Sequence, residues 1–103
     1  MKYRNTKTVI DGVTFDSKKE SARYSDLKLM HRAGAITDLT LQPKFDIVIN
    51  GQKVCSYIAD FSYVENGVTV VEDVKSEMTR KLPTYRLKKK LMKAVHSIEV
   101  REI

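Results

Sequence analysis

Stretches of alternating and clustered apolar residues recur along the chain, separated by polar dipeptides suited to reversing it. In "TVIDGVTF" the pair Asp11-Gly12 interrupts β-branched and aromatic residues, and Asn50-Gly51 and Asn66-Gly67 do the same further on. Two-residue Asx-Gly turns of this kind match the twist of paired strands and so favour hairpins. The pattern predicts an N-terminal hairpin followed later by a meander of three strands over residues 45–49, 54–63 and 68–75. The closing "SIEVREI" alternates again and predicts a last strand.

Between the β regions lies "DSKKESARYSDLKLMHRAG". Ser17 with Glu20 three residues on has the spacing of a capping box, and Gly34 suits the residue after a helix end, so a helix of about four turns is predicted over residues 18–33. Tyr24 and Leu27, at i+4 and i+7 from Glu20, define an apolar side that turns Glu20 inward. A second helix is predicted from near Thr79 or Pro83 to Val95, with Leu87, Leu91 and Ala94/Val95 on its apolar side. Pro83 is tolerated only in a first turn. A strand reached through this helix should run parallel to the strand ending at Lys75. From Ser17 onward the expected order is α-β-β-β-α-β, an α/β fold with a mixed sheet flanked by two helices and the leading hairpin as an addition.

The 103 residues suffice for one domain, 1–103, with a modest core. An apolar share of 42% with 31% charged residues is ordinary globular composition, and no apolar run approaches the length of a membrane span. "MKYR" is basic but is not followed by the apolar region of a signal peptide, so cytoplasmic residence is expected, with no membrane partner and no small-molecule cofactor. Cys55 has no disulfide partner, and His31 and His96 lack zinc-ligand spacing. The net charge of +6 favours a polyanion. Between Thr79 and Ser97 stand Arg80, Lys81, Arg86, Lys88, Lys89, Lys90 and Lys93 with no acid, a single-sign stretch better suited to phosphate contact than to a solvated face of paired charges.

Candidate chemistry arises from the hairpin register. With Asn66 and Gly67 at the tip, Glu65 pairs with Val68 and Asp60 falls opposite Asp73. Lys75 joins them on the same face by strand alternation, and Glu72 goes to the other. Like charges directly opposite in a sheet are destabilising, so a positive group is expected between them. Lys75 alone is one candidate. A hard divalent cation bound by carboxylate oxygens is the other, with Lys75 placed to position a water or phosphate. Glu20 is explained either as a capping partner or as a third acid of the site. Lys18 and Lys19, at the positive end of the first helix, suit a phosphate. Tyr3, Tyr24, Tyr57, Tyr63 and Tyr85 read as core or stacking residues.

Asp60, twelve intervening residues and then Asp73-Val74-Lys75 match the D…(D/E)-x-K pattern of the PD-(D/E)XK nuclease superfamily, whose core has the same α-β-β-β-α-β order. Through "FDSKKE", "IADFSY", "VEDVKS" and "YRLKKKLM" the chain resembles small phage-encoded nucleases of that superfamily, related to Holliday-junction resolvases. Ala59 stands where the motif has Pro, and Asp73 where Glu is commoner. The resemblance implies a restriction-endonuclease-like core, metal-ligand roles for Asp60 and Asp73, a catalytic role for Lys75 and a supporting acidic role for Glu20. It also implies Mg as cofactor, with Mn as a substitute, for hydrolysis of phosphodiesters in branched DNA by a homodimer acting in phage recombination or DNA processing. The host cytoplasm would be the compartment. Lys18, Lys19, Arg86, Lys88, Lys89, Lys90 and Lys93 are the expected DNA contacts. The competing expectation is a non-catalytic DNA-binding protein that keeps the nuclease fold.

Overall fold

The computed structural model describes residues 7–103; the basic "MKYR" start, with Tyr3, lies outside the described residues. The fold is mixed α/β. A hairpin of β1 (Thr8–Ile10) and β2 (Val13–Phe15) precedes α1 (Lys18–Arg32). Five strands follow: β3 (Thr37–Leu41), β4 (Lys44–Ile49), β5 (Gln52–Ile58), β6 (Phe61–Glu65) and β7 (Val68–Asp73). Then come α2 (Glu77–Arg80), α3 (Pro83–His96) and β8 (Arg101–Glu102). The central sheet has the order β3-β6-β7-β8, and β4-β5 and β1-β2 form separate two-stranded sheets.

All three Asx-Gly pairs turn hairpins with both residues at positive φ, between 51° and 77°. Ser17 caps α1, and Gly34 follows it at φ 79°. Pro83 occupies the first turn of α3, and β8 runs parallel to β7. The predicted three-strand meander is corrected on several points. The stretch 54–63 is two strands, broken at Ala59-Asp60, where Ala59 N donates to Pro43 O and Gln42 N to Asp60 O. These bonds hold a corner at which β5 leaves the β4 hairpin and β6 enters the central sheet. Another correction is β3, whose "TDLTL" carries two polar β-branched residues and a positive-φ Asp38, and so lacks a clean alternation. β7 also stops at Asp73, two residues earlier than expected.

The sheet has a core on each side. Phe15, Tyr24, Leu27, Ile36, Phe61 and Tyr63 pack on the α1 side. Ile47, Tyr57, Ala59, Val71, Tyr85, Met92 and Val100 pack on the α3 side, with Leu91 and Val95 against them. The expected apolar side of α3 is therefore rotated. Leu87 is 57% exposed and Ala94 is exposed, because Tyr85 and Met92, seven apart, set the inward direction. No described helix is long and apolar enough to cross a membrane.

Candidate active site

The β6–β7 ladder keeps the register that the Asn-Gly turn dictates, from Glu65↔Val68 to Phe61↔Glu72. One step further, Asp60 meets Asp73. Asp60 N donates to Asp73 Oδ1 (2.9 Å) and Val74 N to Asp60 Oδ2 (2.8 Å), so each carboxylate receives a main-chain amide of the opposite strand end. Asp73 is 1% exposed. Its Oδ2 is one of two buried side-chain polar atoms among the described residues that have no hydrogen-bond partner, the other being the Tyr57 hydroxyl. An unpartnered buried carboxylate oxygen is costly and needs a compensating charge or proton.

Asp16, Lys19, Glu20, Asp60 and Lys75 line one cleft of about 320 Å³, together with Ser17, Val74, Ser76 and Thr79. Glu20 reaches it because only half of the predicted capping box forms. Ser17 Oγ accepts from Glu20 N (3.1 Å), whereas the Glu20 carboxylate faces the cleft. Burial, then Asp60, Asp16 and Asp73, push the Glu20 carboxyl up to about 7, against the pull of Lys75. Burial pushes Asp73 up to about 6, opposed by Lys75 and by the Asp60 amide and reinforced by Glu102. Asp60 is raised as well, chiefly by burial. Lys75 lies beyond the end of β7 and sets its Nζ 4.6 Å from the centre of the Tyr85 ring. The Tyr85 hydroxyl donates to Glu102 Oε2 (2.7 Å), which lies 3.5 Å from Lys89 Nζ.

Carboxylates whose charge burial disfavours are the environment a hard cation relieves, and the oxygen donor set of Asp60 and Asp73 suits Mg or Mn. The orphaned Asp73 Oδ2 adds to that fit. Among the described residues no group of three or more His, Cys, Asp or Glu side chains converges as a ready-made cage. A magnesium site built from one or two carboxylates plus water and substrate oxygens requires no such cage.

The basic residues divide between two places. Arg86, Lys89, Lys90 and Lys93 of α3 line a second cleft of about 340 Å³ with Arg80, Glu99, Val100 and Glu102. Lys88 is half-buried at the edge of the helix's apolar side and does not line it. Lys19 belongs to the acidic cleft, where its Nζ donates to Lys75 O (3.1 Å). Lys18 is exposed beside it without lining it.

A family model matches residues 1–102, all but the last residue of the chain. The chain belongs to the family described as protein of unknown function (DUF1064). No curated protein and no solved structure matches it. Two features of this DUF1064 chain escape the sequence pattern. Asp16 enters the cleft because it immediately precedes the helix cap, a position that "FDSKKE" displays but that a cap-centred reading passes over. Glu102 pairs with Asp73 across β8 and thereby reaches Tyr85 and Lys89, a relation visible only once the parallel register is known. Arg80, already part of the basic stretch in the sequence, joins the basic cleft from α2.

Proposed function

We propose that this protein is a divalent-metal-dependent endodeoxyribonuclease of the PD-(D/E)XK type, acting on branched or structured DNA as a homodimer. The observation that carries the reading is the opposition of Asp60 and Asp73 at one hairpin end, with an unpartnered oxygen on Asp73, which is buried and does not itself line the cleft, and with Asp60 and Lys75 lining that cleft together. The topology lends support. The sequence α1, β3, β6, β7, α3, β8, with β3-β6-β7 antiparallel and β8 parallel to β7, follows the α-β-β-β-α-β order of that core, and the β4–β5 hairpin is an insertion in it.

In this reading Asp60 and Asp73 would hold Mg, or Mn in its place, with Glu20 on the cleft wall as a further acid. The ion supplies polarisation of a phosphoryl oxygen and acidification of a water. Lys75 orients the attacking water in line with the scissile bond and offsets the charge that develops on the phosphate. Its ammonium is kept in place by the Tyr85 ring. Lys19 meets a phosphate at the mouth of the cleft, and Arg86, Lys89, Lys90 and Lys93 hold the backbone further along. Two copies cut two strands, since one such site cuts one.

The test is a panel of four-way junction, flap, fork and linear duplex DNAs with magnesium or with chelator. Metal-dependent cutting, greater on the branched members, is the expected result. Binding without cutting on every member would replace the nuclease by a non-catalytic DNA-binding protein.

A further inference from the structure

Behind the acid pair, on the opposite side of β7, lies a charged group that the proposed chemistry does not use. Glu72 is fully buried, and its carboxylate is gripped by Arg23 of α1 through Nε to Oε1 (2.8 Å) and Nη2 to Oε2 (2.6 Å). The Tyr63 hydroxyl of β6 donates to the same carboxylate, and Arg101 Nη1 of β8 donates to that hydroxyl (3.3 Å). Three elements, α1, β6 and β7, therefore meet at one carboxylate, and β8 joins them through the Tyr63 hydroxyl. The main chain of the same residue touches the site, because Glu72 O accepts from Asp60 N (3.2 Å).

We infer that Arg23, Glu72 and Tyr63 form a positioning clamp that fixes α1 on the sheet so that Glu20 faces Asp60 and Asp73. The inference rests on the nuclease reading above. Arg23 stands three residues after Glu20, on the same flank of α1 and about one turn along. The apolar contacts of Tyr24 and Leu27 set the distance of α1 from the sheet, but packed apolar surfaces are non-directional and leave its slide and rotation less sharply defined. A two-pronged guanidinium–carboxylate bond defines both. Stability alone does not account for the arrangement. Apolar residues of similar volume in place of a buried ion pair are often neutral or stabilising, so what the charged group adds is geometry. That geometry bears on Glu20, whose carboxylate takes no bond from its own helix cap and whose direction depends on where α1 is seated.

The experiment uses Mn²⁺ calorimetry and thermal unfolding on the wild type, on Arg23→Met/Tyr63→Phe/Glu72→Leu, which removes the network without leaving a buried charge, and on Glu20→Gln in both backgrounds. The triple variant should unfold within a few degrees of the wild type yet bind Mn²⁺ about tenfold more weakly, the loss typical when a residue supporting metal ligands is removed. Glu20→Gln should weaken Mn²⁺ binding in the native background and add less than about twofold in the triple variant, because groups that act as a unit are non-additive. A folded triple variant that binds Mn²⁺ as the wild type does, or in which Glu20→Gln costs as much as in the native background, overturns the clamp. Arg23→Lys, which keeps the charge and loses the fork, covers the case in which the triple variant fails to fold. It should lower Mn²⁺ affinity while holding the wild-type melting temperature, and undiminished affinity overturns the clamp equally. A wild type that binds no Mn²⁺ refutes the nuclease reading itself, and the clamp with it.

Discussion

Asp73→Asn should make the metal-free protein more stable at neutral pH, and the gain should vanish in acid. Asn keeps the shape of the side chain and an Oδ1 that accepts from Asp60 N, so the substitution removes charge with little change in packing. The Asp73 carboxyl is raised from 3.8 to about 6 in the folded chain, with burial as the leading cause. At roughly 1.4 kcal/mol per unit this is a cost of about 3 kcal/mol, and the 1% exposure of Asp73 leaves little solvent to discount it. The sign follows from linkage. Below pH 3.8 the carboxyl is protonated in both states and costs nothing. Between 3.8 and 6 the folded state holds the proton and the unfolded state releases it, so stability falls as pH rises; above 6 the full cost is present. Glu20, raised to about 7, and Asp60 act in the same sense and steepen the wild-type curve. Urea unfolding in chelator from pH 4 to pH 8 measures the difference between the two proteins. It should grow by about 2.5 kcal/mol across that range, since part of the cost is already present at pH 4. A difference that stays constant with pH would refute the argument, since an uncharged packing effect has no such dependence.

Two further outcomes are expected. Magnesium at about a hundred times its dissociation constant should stabilise the wild type by about 2.7 kcal/mol, seen as a raised melting temperature, and Asp73→Asn should abolish most of that rise. Alanine at both Lys89 and Lys93, which share the basic cleft, should weaken binding to every DNA tested and reduce the salt slope by about 0.9 log units for each phosphate left without its lysine, with Mn²⁺ affinity retained; tight binding across a salt series would move the DNA surface to Lys18, Lys19 and the N-terminal hairpin.

The features that follow from local rules are legible in the sequence. The Asx-Gly turns fix their own φ values and with them the register that opposes Asp60 to Asp73, and Ser17 and Pro83 mark helix starts by hydrogen-bond and steric necessity. What tertiary packing decides is not. The break at Ala59-Asp60 depends on Pro43 and Gln42 approaching from another strand, and nothing in "SYIADFSY" announces it. The rotation of α3 turns on Tyr85 and Met92, seven residues apart, an inward direction that the Leu87-Leu91 spacing does not show; Tyr85 carries Lys75 on its ring and Glu102 on its oxygen. Alternation sends Glu72 to the far side of β7, but its partner Arg23 lies 49 residues away and no spacing connects them.

Nicking of supercoiled plasmid by the wild type, Asp60→Asn and Asp73→Asn, each with magnesium and with chelator and with DNA binding measured in parallel, tests the central claim most directly. The wild type should convert supercoiled to open-circular DNA only with magnesium, and both variants should lose that activity while binding DNA as before, because neither substitution touches the α3 lysines. Magnesium-dependent nicking by either variant at the wild-type rate would contradict the assignment of the site to the opposed carboxylates.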